Sequence, residues 1–123
     1  MAKFTRFARI AEVEFSGIVL STQDLGHKLR IYLTDKSFID FFYTTTVSKL
    51  RFSIHWERNH IDNLIYRLDN TPDKKWSKVS TFPLHFHSKQ YENVNSPSFQ
   101  ISKSDSLENL LRKFLSFAKD NIV

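Results

Sequence analysis

The chain has 123 residues, 41% hydrophobic and 25% charged, which is the composition of one folded domain spanning 1–123 and not of a disordered segment. It has no cysteine, which excludes disulfides, thiolate metal sites and cysteine catalysis and fits a reducing compartment, so a cytoplasmic protein is expected. A net charge of +5 suits polyanions or an acidic partner as well as ordinary solubility, while no apolar run approaches the roughly 20 residues of a membrane span and none follows the basic start MAKFTRFARI, so neither membrane contact nor a signal peptide is expected.

Residues 3–15 place Phe4, Ala8, Ala11 and Phe15 at helical spacing, and the spacing predicts a helix that ends near Ser16-Gly17. Extended chain starts at Ile18–Leu20. His27–Leu33 alternates, with Leu29, Ile31 and Leu33 on one side, and Asp35-Lys36 makes a turn. Phe38–Thr44 is an aromatic strand. Leu50–Arg58 alternates most cleanly, with Leu50, Phe52, Ile54 and Trp56 set against Arg51, Ser53, His55 and Glu57. Arg58-Asn59-His60 turns the chain, and Ile61–Asp69 follows with Leu64, Tyr66 and Leu68 inward and Arg67 and Asp69 outward. Asn70–Ser80 is polar and irregular. Val79–Phe86 reads as a short edge piece interrupted by Pro83, and Lys89–Lys103 as a loop. The chain closes with an amphipathic helix capped by Asp105, with Glu108 in capping-box position and Leu107, Leu110, Leu111, Phe114, Ala118 and Ile122 as its stripe. The expected fold is α+β: an N-terminal helix, an antiparallel meander of four to five strands and a C-terminal helix, with both helices on one face of the sheet.

The other face carries Arg51, His55, Glu57, Arg67 and Asp69. Counting back from a turn at Asn59-His60 sets His55 and Glu57 near Asn63 and Ile65, and Arg51 or Ser53 near Arg67 or Asp69. Arginine, histidine and carboxylate together can hold a phosphate and move protons; they can equally be a solvated face laced with ion pairs. In TFPLHFH, His85 and His87 project to one side of extended chain. Three readings stay open for them: two ligands of a metal completed by Asp69, His55 or Glu92; a general acid and base for RNA cleavage beside Arg67 or Lys89; or a polar edge. Most aromatics belong to the core. Trp76 in DKKWSK is the exception, a ring among lysines that suits a nucleic-acid or protein contact, or a loop anchor. There is no glycine-rich phosphate loop, GxSxG or HExxH motif.

The order of RFSIHW (Arg51–Trp56), YRLDN-TP (Tyr66–Pro72), STFPLHFH (Ser80–His87) and ENV (Glu92–Val94) resembles the TumE family of small toxin-like proteins, over most of the chain. Members typically show R-x-D-N-A-P and F-P-H-H-x-H. Thr71 replaces the alanine of the first and Leu84 the first histidine of the second, so the residue at 84 is either dispensable or its loss weakens this copy. The resemblance implies a growth-inhibiting toxin paired with a helix-turn-helix antitoxin, and carries Arg67, Asp69, Asn70, His85 and His87 forward as site residues. By analogy with small RNase-type toxin folds, the expectation is a metal-independent endoribonuclease that needs no cofactor. Its catalytic residues would be His85, His87, Arg67 and Asp69. Arg51, His55, Lys74, Lys75, Trp76, Lys78 and Lys89 would bind RNA, and a homodimer is compatible with this reading. The alternatives are a non-enzymatic protein-binding module and a metal-dependent nuclease.

Overall fold

The N-terminal helix is held by what it buries, because no side chain caps its start. In the computed structural model, which describes residues 2–46, 49–70, 85–88, 90–95, 101–102 and 104–122, α1 (Thr5–Arg9) runs directly into a wider π-helical turn, Ile10–Glu14. That turn rotates the buried face, so Phe7, Ile10 and Ala11 point inward together. Phe4 is buried just ahead of the helix, and Phe7 lies 4.6 Å, centroid to centroid, from Phe41.

Among the described residues seven strands follow in a simple antiparallel meander, each paired with the next: β1 (Val19–Asp24), β2 (Leu29–Leu33), β3 (Phe38–Thr45), β4 (Leu50–Arg58), β5 (Leu64–Asp69), β6 (His85–Ser88) and β7 (Gln90–Asn95). The expected α+β architecture is therefore the observed one. The five strands read between Ile18 and Asp69 are β1–β5, and β6 and β7 prolong the meander. Two readings are corrected. His85–Ser88 is an inner strand, because Gln90–Asn95, within the stretch read as a loop, pairs outside it. Between β4 and β5 the chain makes a helical turn, α2 (Asn59–Asp62), closed by Asn63 in the left-handed region at φ 63°.

One face of the sheet is apolar. Leu29, Phe41, Ile54, Leu68 and Phe86 form a continuous row across β2–β6, one partner per strand. Above it lies α3 (Leu107–Asn121), which buries Leu110, Leu111, Phe114, Leu115 and Ala118. Its cap is Ser106, whose Oγ accepts from the Asn109 amide at 3.1 Å, and not Asp105. Asp105 instead accepts from the Ser102 amide and from Lys113 Nζ. Arg112 ties α3 to the N-terminal helix by a two-pronged bond to Glu14, 2.9 and 3.0 Å.

One end of the core is closed by polar groups. Trp56, fully buried, donates from Nε1 to Ser37 Oγ at 2.9 Å; Ser37 donates to Asp35, and Asp35 and Asp62 both accept from buried Arg58. The turn at Asp35-Lys36 and the Trp56 end of RFSIHW are thus parts of one structural knot. Truncating Trp56 would cost roughly 3–5 kcal/mol.

Candidate functional site

The opposite face of the sheet collects charged and histidine positions, because successive residues of a strand face opposite ways and the register is continuous from β2 to β6. Arg30 pairs with Asp40, Asp40 with His55, His55 with Arg67, and Arg67 with His87. Paired residues share a face, so these five positions form one row across five strands. The neighbouring row runs Phe42, Ser53, Asp69, His85.

The described charged and histidine side chains in these rows each have a defined partner. Asp40 accepts from Lys28 Nζ (2.8 Å) and from Arg30 Nε and Nη2 (2.8 and 3.0 Å). Burial pushes the Asp40 carboxyl up, but the hydrogen bonds from Arg30 and Lys28 outweigh it and hold the group below the usual aspartate range. His55 Nε2 lies 3.3 Å from Glu57 Oε2. Arg67 Nε lies 2.8 Å from Asp69 Oδ2, with the Asp69 side chain only 5% exposed and that of Arg67 31%. Asp69 is thus a buried carboxylate on the polar face, and Arg67 is turned along its own strand toward it.

Arg67 and Asp69, expected to act together, are in contact. His85 and His87 stand at the register positions opposite Asp69 and Arg67, and Phe86 between them is in the core. His55, expected to steer RNA, lies opposite Arg67, and Glu57 opposite Ile65, both further along β5 than the count from Asn59-His60 sets them, because the helical turn α2 moves the centre of the hairpin; Ser53 lies opposite Asp69, one of the pairings expected. Arg51 stands opposite Thr44, one step beyond the Ser53–Asp69 pair. Lys74, Lys75, Trp76, Lys78 and Lys89 lie outside the described residues. Asn70 is structural: its Oδ1 accepts from the Phe52 amide (3.0 Å) and its Nδ2 donates to the Leu50 carbonyl (2.8 Å), so the side chain continues the β4–β5 ladder past its end. Sequence reasoning gave no site role to Lys28, Arg30 and Asp40. The signal was a lone aspartate inside the aromatic strand FIDFF.

Among the described residues no three His, Cys, Asp or Glu side chains come close enough together to hold a metal ion. No helix among them is long and apolar enough to cross a membrane.

A seven-stranded antiparallel meander with two helices on one face and a histidine–arginine–carboxylate cluster on the other defines the class of the molecule as a small α+β protein with one polar sheet face. The chain belongs to the family described as toxin TumE, whose sequence profile matches residues 3–122, nearly its whole length. It is accordingly a toxin component of a toxin–antitoxin system, with an antitoxin as partner. No curated protein and no solved structure matches the chain significantly.

Proposed function

We propose that this toxin is a metal-independent endoribonuclease whose site is the polar sheet face around Arg67. The observation that carries the reading is the register of β4–β6, in which Arg67 has His55 opposite it on one side and His87 on the other. Two strand spacings separate those histidine positions, about 10 Å, which is room for one phosphodiester between two imidazoles. Arg67, braced by Asp69, binds the non-bridging oxygens. One imidazole takes the proton of the ribose 2′-hydroxyl, whose oxygen attacks phosphorus. The other protonates the 5′-oxygen as the P–O5′ bond breaks, leaving a 2′,3′-cyclic phosphate and a 5′-hydroxyl end. Asp69 acts through Arg67 and is a positioning residue. His85, opposite Asp69, stands one step along the strand from the reacting group. The net charge of +5 favours approach of a polyanion. The reading carries with it a helix-turn-helix antitoxin, a cytoplasmic place of action and no need for a second copy of the chain at the site.

The test is RNA incubated with purified protein in the presence of a chelator, with the new ends identified chemically. Cleavage to cyclic phosphate ends, lost in His55→Ala, His87→Ala and Arg67→Ala, is the expected result. Equal growth arrest by the wild type and a His55→Ala, His87→Ala double variant would overturn the catalytic roles. Intact RNA together with a stoichiometric host protein retained on the toxin would favour the protein-binding alternative.

A further inference from the structure

The half of the polar face built by β2 and β3 carries aromatic rings outside the apolar core; Tyr32 donates its hydroxyl to Gln23 Oε1 at 2.8 Å, while the ring faces are turned away from both helices. Tyr32, Phe38 and Phe42 lie on the same face as Arg30, Asp40 and His55, as their pairings with Phe38, Glu57 and Ser53 require. All three are half-buried, and none belongs to the core or to the apolar side chains packed against it. Rings on the far side of a sheet from both helices gain little by burial, so their presence calls for another contact. They are interleaved with cations. Arg30 Cζ lies 4.1 Å from the centroid of Phe38, while its edge is fixed by the Asp40 carboxylate. A guanidinium held in this way offers a flat, charged surface already ordered before anything binds.

We propose that this half of the face is a stacking platform for single-stranded RNA, with bases on Phe42 and on the Arg30–Phe38 pair and the backbone running on across β4 to Arg67. It rests on the ribonuclease reading above and adds the substrate class: unpaired RNA, whose exposed bases can stack, and not duplex. Alternating rings and cations on an open sheet suit that ligand, since every base has a π-face and every nucleotide a negative charge. The Lys28–Arg30–Asp40 group keeps one net positive charge, which a phosphate can use.

The experiment uses the full chain carrying His55→Ala and His87→Ala, so that the probe survives. Binding of a fluorescent single-stranded RNA of about 12 nucleotides is compared with the same sequence as duplex. Expected are preference for the single strand, a loss of about tenfold in affinity in each of Phe38→Ala and Phe42→Ala, and retention in Phe42→Trp, which keeps a stacking surface. Thermal melting checks each variant; if an alanine variant is unfolded, Arg30→Gln against Phe42→Trp carries the comparison. If Arg67→Ala weakens binding while Phe38→Ala and Phe42→Ala bind like their parent, the platform is overturned and the phosphate site stands. If the parent binds no RNA at all, both readings fall. If the ring variants keep RNA and lose only the purified antitoxin, the face belongs to the antitoxin and the platform is overturned.

Discussion

Arg67 Nε and Asp69 Oδ2 stand 2.8 Å apart along a single strand, although Cα atoms two residues apart on a strand are separated by about 7 Å. The guanidinium has to lie down along β5 to make this contact, and the buried carboxylate is what holds it there. Asp69→Asn keeps the volume and removes the charge. The expected result is a loss of about 1–2 kcal/mol of stability, because the pair is only partly buried on the arginine side, and a fall of ten- to a hundredfold in toxicity because Arg67 is no longer aimed. Urea unfolding and growth-arrest titration measure the two effects. Unchanged toxicity with lowered stability would show that the pair only holds the strand.

Asn70 follows in the same motif and has a different task. Its amide makes both bonds of a ladder step, to the Phe52 amide and the Leu50 carbonyl. Asn70→Ala removes both and is expected to cost about 1–2 kcal/mol. Asn70→Asp keeps the acceptor for the Phe52 amide but sets a carboxylate oxygen against the Leu50 carbonyl, so it should cost at least as much. If the two variants melt with the wild type, the ladder does not need this clip.

These two neighbours mark how far the sequence could be read. The alternation in Leu50–Arg58 gave β4 its bounds, since one apolar face leaves a period of two in the chain. The alternation in Ile61–Asp69 puts Asp69 on the polar face, which is right, and cannot tell that it is buried there. Periodicity reports which way a side chain points and not what lies over it. The sequence of β7 reads as loop because QYENVN carries only two apolar residues, and an edge strand is specified by its partner's ladder more than by its own pattern. The sequence sets His55 away from Arg67 because Asn59–Asp62 looks like a tight turn and folds as one turn of helix, which changes who faces whom across the hairpin. The grouping of Arg67 with Asp69 came from a motif order whose residues the strand register then brought together.

Lys36 sits in the left-handed region at φ 72°, where a side chain costs about 1–2 kcal/mol and glycine costs none. The turn is closed by Asp35, which accepts from the Ser37 amide at 3.0 Å, so its shape is set from outside residue 36. Lys36→Gly releases the strain and gives back part of it as unfolded-chain entropy. The expected net gain is about 0.5–1 kcal/mol, or roughly 2–5 °C in Tm. Lys36→Val should move the other way. A calorimetric scan in which both variants lose stability would mean that the lysine side chain itself contributes at this turn.

Acid should weaken this protein in part through two aspartates. Asp35 and Asp40 are each pushed up by burial and brought down further by their partners, Ser37 and Arg58 for the first and Arg30 and Lys28 for the second, so each ends below the ordinary aspartate value. A carboxyl depressed in the folded state binds its proton more readily when unfolded. Its contribution is therefore fully present above about pH 4, the ordinary range, and is lost as the pH falls through the folded value. Stability from urea midpoints should be flat from neutral pH down to about 5 and fall below 4. Asp40→Asn removes one of the two charges without changing volume. At neutral pH it should be less stable than the wild type, since Arg30 and Lys28 lose their common acceptor, and its decline in acid should be shallower. Equal slopes for the two proteins below pH 4 would show that Asp40 carries none of the acid sensitivity and that the clamp on Arg30 does not depend on its charge.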